Sequence, residues 1–181
     1  MVAAKLGARH PERRFEFLNR GVSGHTVQDL ENRWQADTID HLPDLLSLLI
    51  GVNNIIHRQN GSKDIPDAEV LDSYRRMLGQ MRESNPRVRF LLMEPFLLEA
   101  GDVTAAWKTA LKPIQEGVAT IAREFEAPLI PLQGIFDKAL ALAPAAYWAY
   151  DGIHATHAGK QLIADAWLET AERHRLLDPL V

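Results

Sequence analysis

Residues 45–50 read Leu-Leu-Ser-Leu-Leu-Ile, an almost unbroken apolar run that follows Pro43-Asp44 and stops at Gly51. A short run of this kind, bounded by turn residues, suits a strand buried on both faces, the usual condition of a strand in a parallel sheet. The pattern recurs at residues 88–93, at the two-residue Leu129-Ile130 between prolines, and at residues 15–19, which lead into the glycine loop 21–24. Longer helical periods separate these runs. Residues 26–37 read as a helix capped by Thr26. Residues 67–83 place Val70, Tyr74, Met77, Leu78 and Met81 at three- and four-residue steps. Residues 102–125 do the same with Trp107, Leu111, Ile114, Val118 and Ile121, and Pro113 inside that stretch predicts a kink or a break. Residues 156–170 close the chain as a helix with Leu162, Ile163, Ala166 and Trp167 turned inward.

Strand–helix alternation predicts an α/β fold: a flavodoxin-like, three-layer open parallel sheet with helices on both faces. In such a sheet the loops after the strands gather on one edge, where ligands bind. The length of 181 residues fits one domain, and the net charge of −4, with no basic block beyond Arg13-Arg14 and Arg75-Arg76, argues against nucleic acid as a partner. There is no cysteine, so disulfides, thiolate chemistry and cysteine-based zinc sites are excluded. No apolar run approaches the roughly 18 residues of a membrane span, and the chain does not open on a signal-peptide core; a cytoplasmic location follows as an expectation.

The residues suited to chemistry fall on the predicted edge. Asp151 and His154 stand three apart with Gly152 between them, a spacing that lets a carboxylate accept the Nδ1 proton of an imidazole and aim Nε2 outward as a base. Gly51-Val52-Asn53 ends an apolar strand and can offer an amide to a developing oxyanion. Taken singly, each has a plainer explanation: a surface Asp–His pair, and a strand terminator of the kind Gly and Asn favour. Tyr147, Trp148 and Tyr150 can either form a platform for a sugar ring or pack their loop on the core, and Trp148 is expected to do some of both. His154 and His157 stand three apart and His25 can approach them, but no Glu joins them in a zincin pattern and no carboxylate cluster accompanies them, so no metal or cofactor is implied.

The joint order resembles the SGNH hydrolases, the GDSL-type esterases, from about Leu18 to Trp167. Asn19-Arg20-Gly21-Val22-Ser23-Gly24, Pro43-Asp44-Leu45, Met93-Glu94-Pro95-Phe96 and Tyr147-Trp148-Ala149-Tyr150-Asp151-Gly152-Ile153-His154 look most like the bacterial acetylxylan esterases of that family. The resemblance implies Asp151 and His154 as catalytic residues, the Gly24 N–H and the Asn53 amide as oxyanion hole, and Trp148 and Asn54 as candidate substrate contacts. It implies a small-molecule or oligosaccharide ester as substrate, deacetylation of a carbohydrate as reaction, and is compatible with a homo-oligomer.

Two departures stand against the family pattern. The Gly-Asp-Ser block that carries the nucleophile occurs nowhere in these residues, and Met1-Val2-Ala3-Ala4-Lys5-Leu6 looks like the middle of the helix that follows it. The chain is therefore expected to be an N-terminally truncated domain without its first strand, which would lie centrally between the strands at Phe15 and Leu45. Asn54 stands where the family usually has Asp. None of Ser23, Ser47, Ser62, Ser73 or Ser84 sits on a nucleophile elbow. A pseudoenzyme that binds glycans or a partner, and a flavodoxin-like binding domain, are the alternative readings. Unpaired strand edges predict poor solubility, recruitment of a partner strand or rearrangement.

Overall fold

The computed structural model describes residues 1–179. Its centre is a parallel three-stranded sheet, β1 (Leu45–Leu48), β2 (Arg89–Met93) and β3 (Leu129–Ile130), in the order β1-β2-β3. Leu45 pairs with Arg89, Leu48 with Leu92, and Leu92 with Leu129. Side chains of a strand alternate between faces. Phe90 and Leu92 accordingly enter one core with Leu48, Ile55, Met77, Leu111 and Ile114, while Leu91 and Met93 enter another with Ile130, Phe136, Trp167 and Leu168. Two cores on opposite faces of one sheet make the three-layer α/β architecture.

The first core is covered by α2 (Val27–Glu31), α3 (Trp34–Asp37), α4 (Val52–Gln59), α5 (Asp67–Ser84) and α6 (Ala105–Glu124). The second is covered by α1 (Val2–Arg9), α7 (Leu132–Ala139), the one-turn α8 (Ala145–Trp148) and α9 (His157–Arg173). Leu6 is the buried residue of α1, and Arg9 pairs with Glu172 to hold that helix on α9. No helix of the described residues is long and apolar enough to cross a membrane.

Three expectations need correction. Residues 15–19 form no strand: they run irregularly, and Phe17 and Leu18 are about half exposed. A strand exists only through its ladder, and no described residue bonds to that backbone. Pro113 does not break α6, which continues through it for 20 residues. The proline lies on the solvent face, and the buried stripe Leu111, Ile114, Val118 and Ile121 continues on both sides of it, offsetting the ~3 kcal/mol that an interior proline costs. The helix predicted over residues 26–37 is two short helices interrupted at Asn32-Arg33, although Thr26 does cap the first through a reciprocal bond with Asp29. Helices α4, α7 and α8 were not foreseen.

Candidate active site

Asp151 and His154 meet. Asp151 Oδ2 lies 2.7 Å from His154 Nδ1, and Asp151 Oδ1 accepts the backbone N–H groups of Ile153 at 3.0 Å and His154 at 2.8 Å. One carboxylate oxygen thus folds the turn while the other holds the ring. Burial pushes the Asp151 carboxyl up, but the bonds from the His154 N–H, its imidazole and the Ile153 N–H outweigh that, and the group stays below the usual carboxylate range. The ring is 55% exposed, and its Nε2 has no hydrogen-bond partner among the described residues.

The chain around the pair is pinned from several sides. Ala149 and Ala155 form an antiparallel bridge, Thr156 donates its hydroxyl to the Tyr147 carbonyl at 2.7 Å, and Leu98 donates its N–H to the Gly152 carbonyl at 2.9 Å. Gly152 has φ +83°, and a Cβ there would stand 2.2 Å from the Leu98 carbonyl oxygen, so only glycine fits. Leu98 follows β2, which places the Asp–His turn at the carboxyl edge of the sheet.

Asn53 occupies the first turn of α4, which Gly51 opens in a left-handed conformation (φ +116°) after β1. Its amide nitrogen donates to the His25 carbonyl at 2.9 Å. An amide nitrogen carries two hydrogens, so one anchors the side chain and the second is free for a ligand. The same bond brings Asn53 beside Gly24, whose N–H has no partner among the described residues and whose carbonyl lies 3.2 Å from His57 Nε2. Asn53 and Gly24 are therefore joined through His25. No hydrogen bond links either of them to His154. A cleft of about 1100 Å³ is lined by Asn53, His25, Gly21 and the β1 edge, and neither Asp151 nor His154 lines it.

Two candidate contacts, Asn54 and Trp148, are buried. Asn54 is 2% exposed; its Oδ1 accepts the Val27 N–H at 3.1 Å and its Nδ2 donates to Gln28 at 2.8 Å, so both ends of its amide are spent on fastening α2 to α4. Trp148 is 8% exposed and gives its indole N–H to the Ala139 and Ala143 carbonyls, which makes it a core residue of the loop. The exposed aromatic beside the histidine is Tyr150, whose ring stacks on His154 at 5.7 Å between centroids and 13° between planes.

Sequence reasoning also missed Gln133, in α7 just past β3. Its side chain accepts the Leu97 N–H and donates to the Leu97 carbonyl, both at 3.1 Å, while its own N–H donates to Glu94 Oε2 at 3.0 Å. The one signal was its position, three residues beyond a strand at the predicted edge.

Known proteins share this fold. A curated acetylxylan esterase of Geobacillus stearothermophilus is 32% identical over 170 residues, which cover 92% of this chain and 77% of that protein. The crystal structure of Axe2, an acetylxylan esterase of the same organism, superposes with a TM-score of 0.84 at 28% identity, covering 93% of this chain and 78% of its own. Catalytic mutants of Axe2 replace a serine, a histidine and an aspartate, the last two being three residues apart as Asp151 and His154 are. A protein from Parabacteroides merdae, provisionally assigned as a GDSL-like lipase, superposes with a TM-score of 0.91 at 31% identity over 94% of this chain and 79% of its own. The profile of the GDSL-like Lipase/Acylhydrolase family matches residues 1–162, taking in the glycine loop, Asn53 and the Asp–His turn on their shared scaffold, and the chain belongs to that family.

Proposed function

We propose that this chain supplies the base and the oxyanion donors of a serine ester hydrolase that removes acetyl groups from a carbohydrate. The observation that carries the proposal is the Asp151–His154 pair, with Nδ1 held at 2.7 Å and Nε2 unengaged. In the reaction a serine hydroxyl attacks the acetyl carbon and passes its proton to His154 Nε2. The imidazolium returns that proton to the departing sugar hydroxyl, and water then releases acetate by the same exchange. Asp151 fixes the imidazole tautomer throughout. The Gly24 N–H and the second hydrogen of the Asn53 amide hold the oxyanion, each such donor contributing ~10²–10³ to turnover. Similarity to acetylxylan esterases supports the carbohydrate acetyl ester as substrate.

The serine is not among these residues: no Gly-Asp-Ser occurs, and none of the serines named above follows a strand at a sharp turn. The same observation favours a second reading, a non-catalytic member of the family that keeps the pocket for binding. Acetyl release from p-nitrophenyl acetate and from acetylated xylo-oligosaccharides tests both. The 181-residue protein alone turns over neither ester above the weak residual level left when a nucleophile is missing. Robust hydrolysis by the protein alone, abolished by His154→Ala, would show that a serine within these residues serves and would overturn this assignment.

A further inference from the structure

We infer that Ser62 is a reactive serine: His57 activates its hydroxyl, and it accepts an acetyl group from activated esters, those whose leaving group is an acidic alcohol such as a phenol. The inference goes beyond the esterase reading and uses neither Asp151 nor His154.

The turn that follows α4 builds the pair. Gln59 is the last residue of the helix and Asn60 its cap. Gly61 then takes a left-handed conformation (φ +67°) and donates its N–H to the Arg58 carbonyl at 3.1 Å, and Ser62 donates its N–H to the His57 carbonyl at 3.0 Å. These two bonds are those of a Schellman motif, which folds the second residue past the cap back over the last turn of the helix. An apolar contact often joins those two positions. Here they are serine and histidine, and the Ser62 hydroxyl oxygen lies 2.9 Å from His57 Nδ1.

The other ring nitrogen sets the direction of that bond. His57 Nε2 lies 3.2 Å from the Gly24 carbonyl oxygen. A carbonyl only accepts, so the hydrogen of the neutral ring resides on Nε2 and Nδ1 keeps its lone pair. The contact at Nδ1 is then filled by the hydrogen of the Ser62 hydroxyl, for which the His57 carbonyl at 3.2 Å is the longer alternative. An acceptor orients the ring and the ring accepts from a hydroxyl. That is the order of groups in an activated serine, with a backbone carbonyl in the orienting place. Ser62 is exposed and His57 partly so, which leaves the hydroxyl open to a reagent. Ser84, also exposed, instead gives its hydroxyl to the Gln80 carbonyl of its own helix at 2.9 Å and has no bond to an imidazole among the described residues.

In the reaction the Ser62 oxygen attacks the acetyl carbon as its proton passes to His57 Nδ1, and the bond from that carbon to the leaving oxygen breaks. The departing phenolate takes the proton from Nδ1, which leaves acetyl-Ser62, a free phenol and a neutral imidazole. The turn also limits the reaction. The N–H groups of Gly61, Ser62 and Lys63 are all spent inside it, the first on the Arg58 carbonyl and the other two on the His57 carbonyl. None of the three is left to hold an oxyanion, and each missing donor costs ~10²–10³ in rate. Only esters with good leaving groups therefore react, and acetyl-Ser62 persists instead of turning over.

The test incubates the purified protein with p-nitrophenyl acetate and, separately, with a serine-reactive fluorophosphonate, and follows the modified residues by peptide mapping and mass spectrometry. The expected product is a stable adduct on Ser62 with either reagent. Ser84 serves as the reference within the same molecule: Ser62 should be modified at least ~10²-fold faster, the gain that a positioned base supplies. His57→Gln keeps a donor for the Gly24 carbonyl and an acceptor for the hydroxyl but removes the base, and with an unchanged Tm it should bring Ser62 down to the rate of Ser84. If that variant does not fold, the ratio of Ser62 to Ser84 in the parent protein decides. Modification of Ser62 no faster than that of Ser84 overturns the inference, and so does a folded His57→Gln protein that keeps the parent's rate at Ser62.

Discussion

Gln133 pairs with Leu97 as though it were a neighbouring strand: its amide oxygen takes the Leu97 N–H and its amide nitrogen gives to the Leu97 carbonyl, each at 3.1 Å. The next residue, Leu98, donates to Gly152 in the Asp–His turn. One side chain on α7 therefore holds the segment that holds Asp151. Gln133→Leu would leave the N–H and C=O of the fully buried Leu97 unmatched, a cost of ~1–3 kcal/mol for each group not rescued by water. The expected outcome is a lower urea midpoint and broadened His154 resonances in the NMR spectrum. An unchanged midpoint would mean that the Leu98–Gly152 contact stands without Gln133.

Adjacent asparagines are predicted to behave differently. Asn54→Ala strips the acceptor from the Val27 N–H at the start of α2 and should destabilise the protein by ~1–3 kcal/mol in chemical denaturation. Asn53→Ala removes a partly buried side chain with one structural bond, so its stability cost stays near ~1 kcal/mol. In a protein supplied with a nucleophile, Asn53→Ala should instead lower turnover by ~10²–10³. Comparable stability losses for the two would overturn this division of labour.

These asparagines also mark where the sequence stops being legible. Strands β1, β2 and β3 are readable because each is a short apolar run; β2 is buried from Phe90 to Met93 as such a run predicts, whereas in β1 Leu45 and Leu46 are half-buried and Ser47 is exposed. Helices α5, α6 and α9 are readable because their stripes are long. Helix α4 is short, and Gly51-Val52-Asn53-Asn54 reads equally well as a turn; only once it is helical does the ~100° step between neighbours send Asn53 toward the cleft and Asn54 into the core. The Asp–His pair is legible because its partners are local. Gln133 is not, since a glutamine that imitates a strand has no periodicity. Residues 15–19 look like a strand in isolation, and pairing is not a local property.

Acid and neutral pH should separate Asp151 from Glu94. The Asp151 carboxyl sits below its ordinary range, so the stability it contributes is present above the unfolded-state pKa and is lost as pH falls through that range. Burial pushes Glu94 up, only partly opposed by the Gln133 N–H, and Asp137 adds to the rise. A carboxyl that is easier to protonate when folded makes the fold less stable as pH climbs past its unfolded value. Glu94→Gln keeps an acceptor for Gln133 and removes the charge. It should raise Tm at about pH 7 relative to the parent and show a smaller gain near pH 4. Asp151→Asn should do the reverse, costing stability near neutrality and converging with the parent in acid. A Tm gain for Glu94→Gln that is the same at both pH values would sink the argument for a buried charge.

Gly152→Ala isolates the turn from the chemistry. The residue has φ +83°, where a side chain costs ~1–3 kcal/mol in backbone strain alone. The added Cβ would also stand 2.2 Å from the Leu98 carbonyl oxygen and 2.8 Å from that of Ala100, backbone atoms with no rotamer to escape into. The turn must therefore open, and opening it breaks the Leu98–Gly152 bond and lifts the Asp151 carboxylate off the Ile153 and His154 N–H groups. Gly101→Ala provides the comparison: φ is +59°, but the nearest atoms are those of Asp151 at 3.1–3.4 Å, close enough to strain yet not to exclude a methyl. The expected order of thermal stability is parent, then Gly101→Ala, then Gly152→Ala, with at least about 2 kcal/mol between first and last from strain and overlap together. The His154 side-chain resonances should move most in Gly152→Ala. A fully stable Gly152→Ala with an unshifted His154 would mean that the turn does not set the orientation of the imidazole.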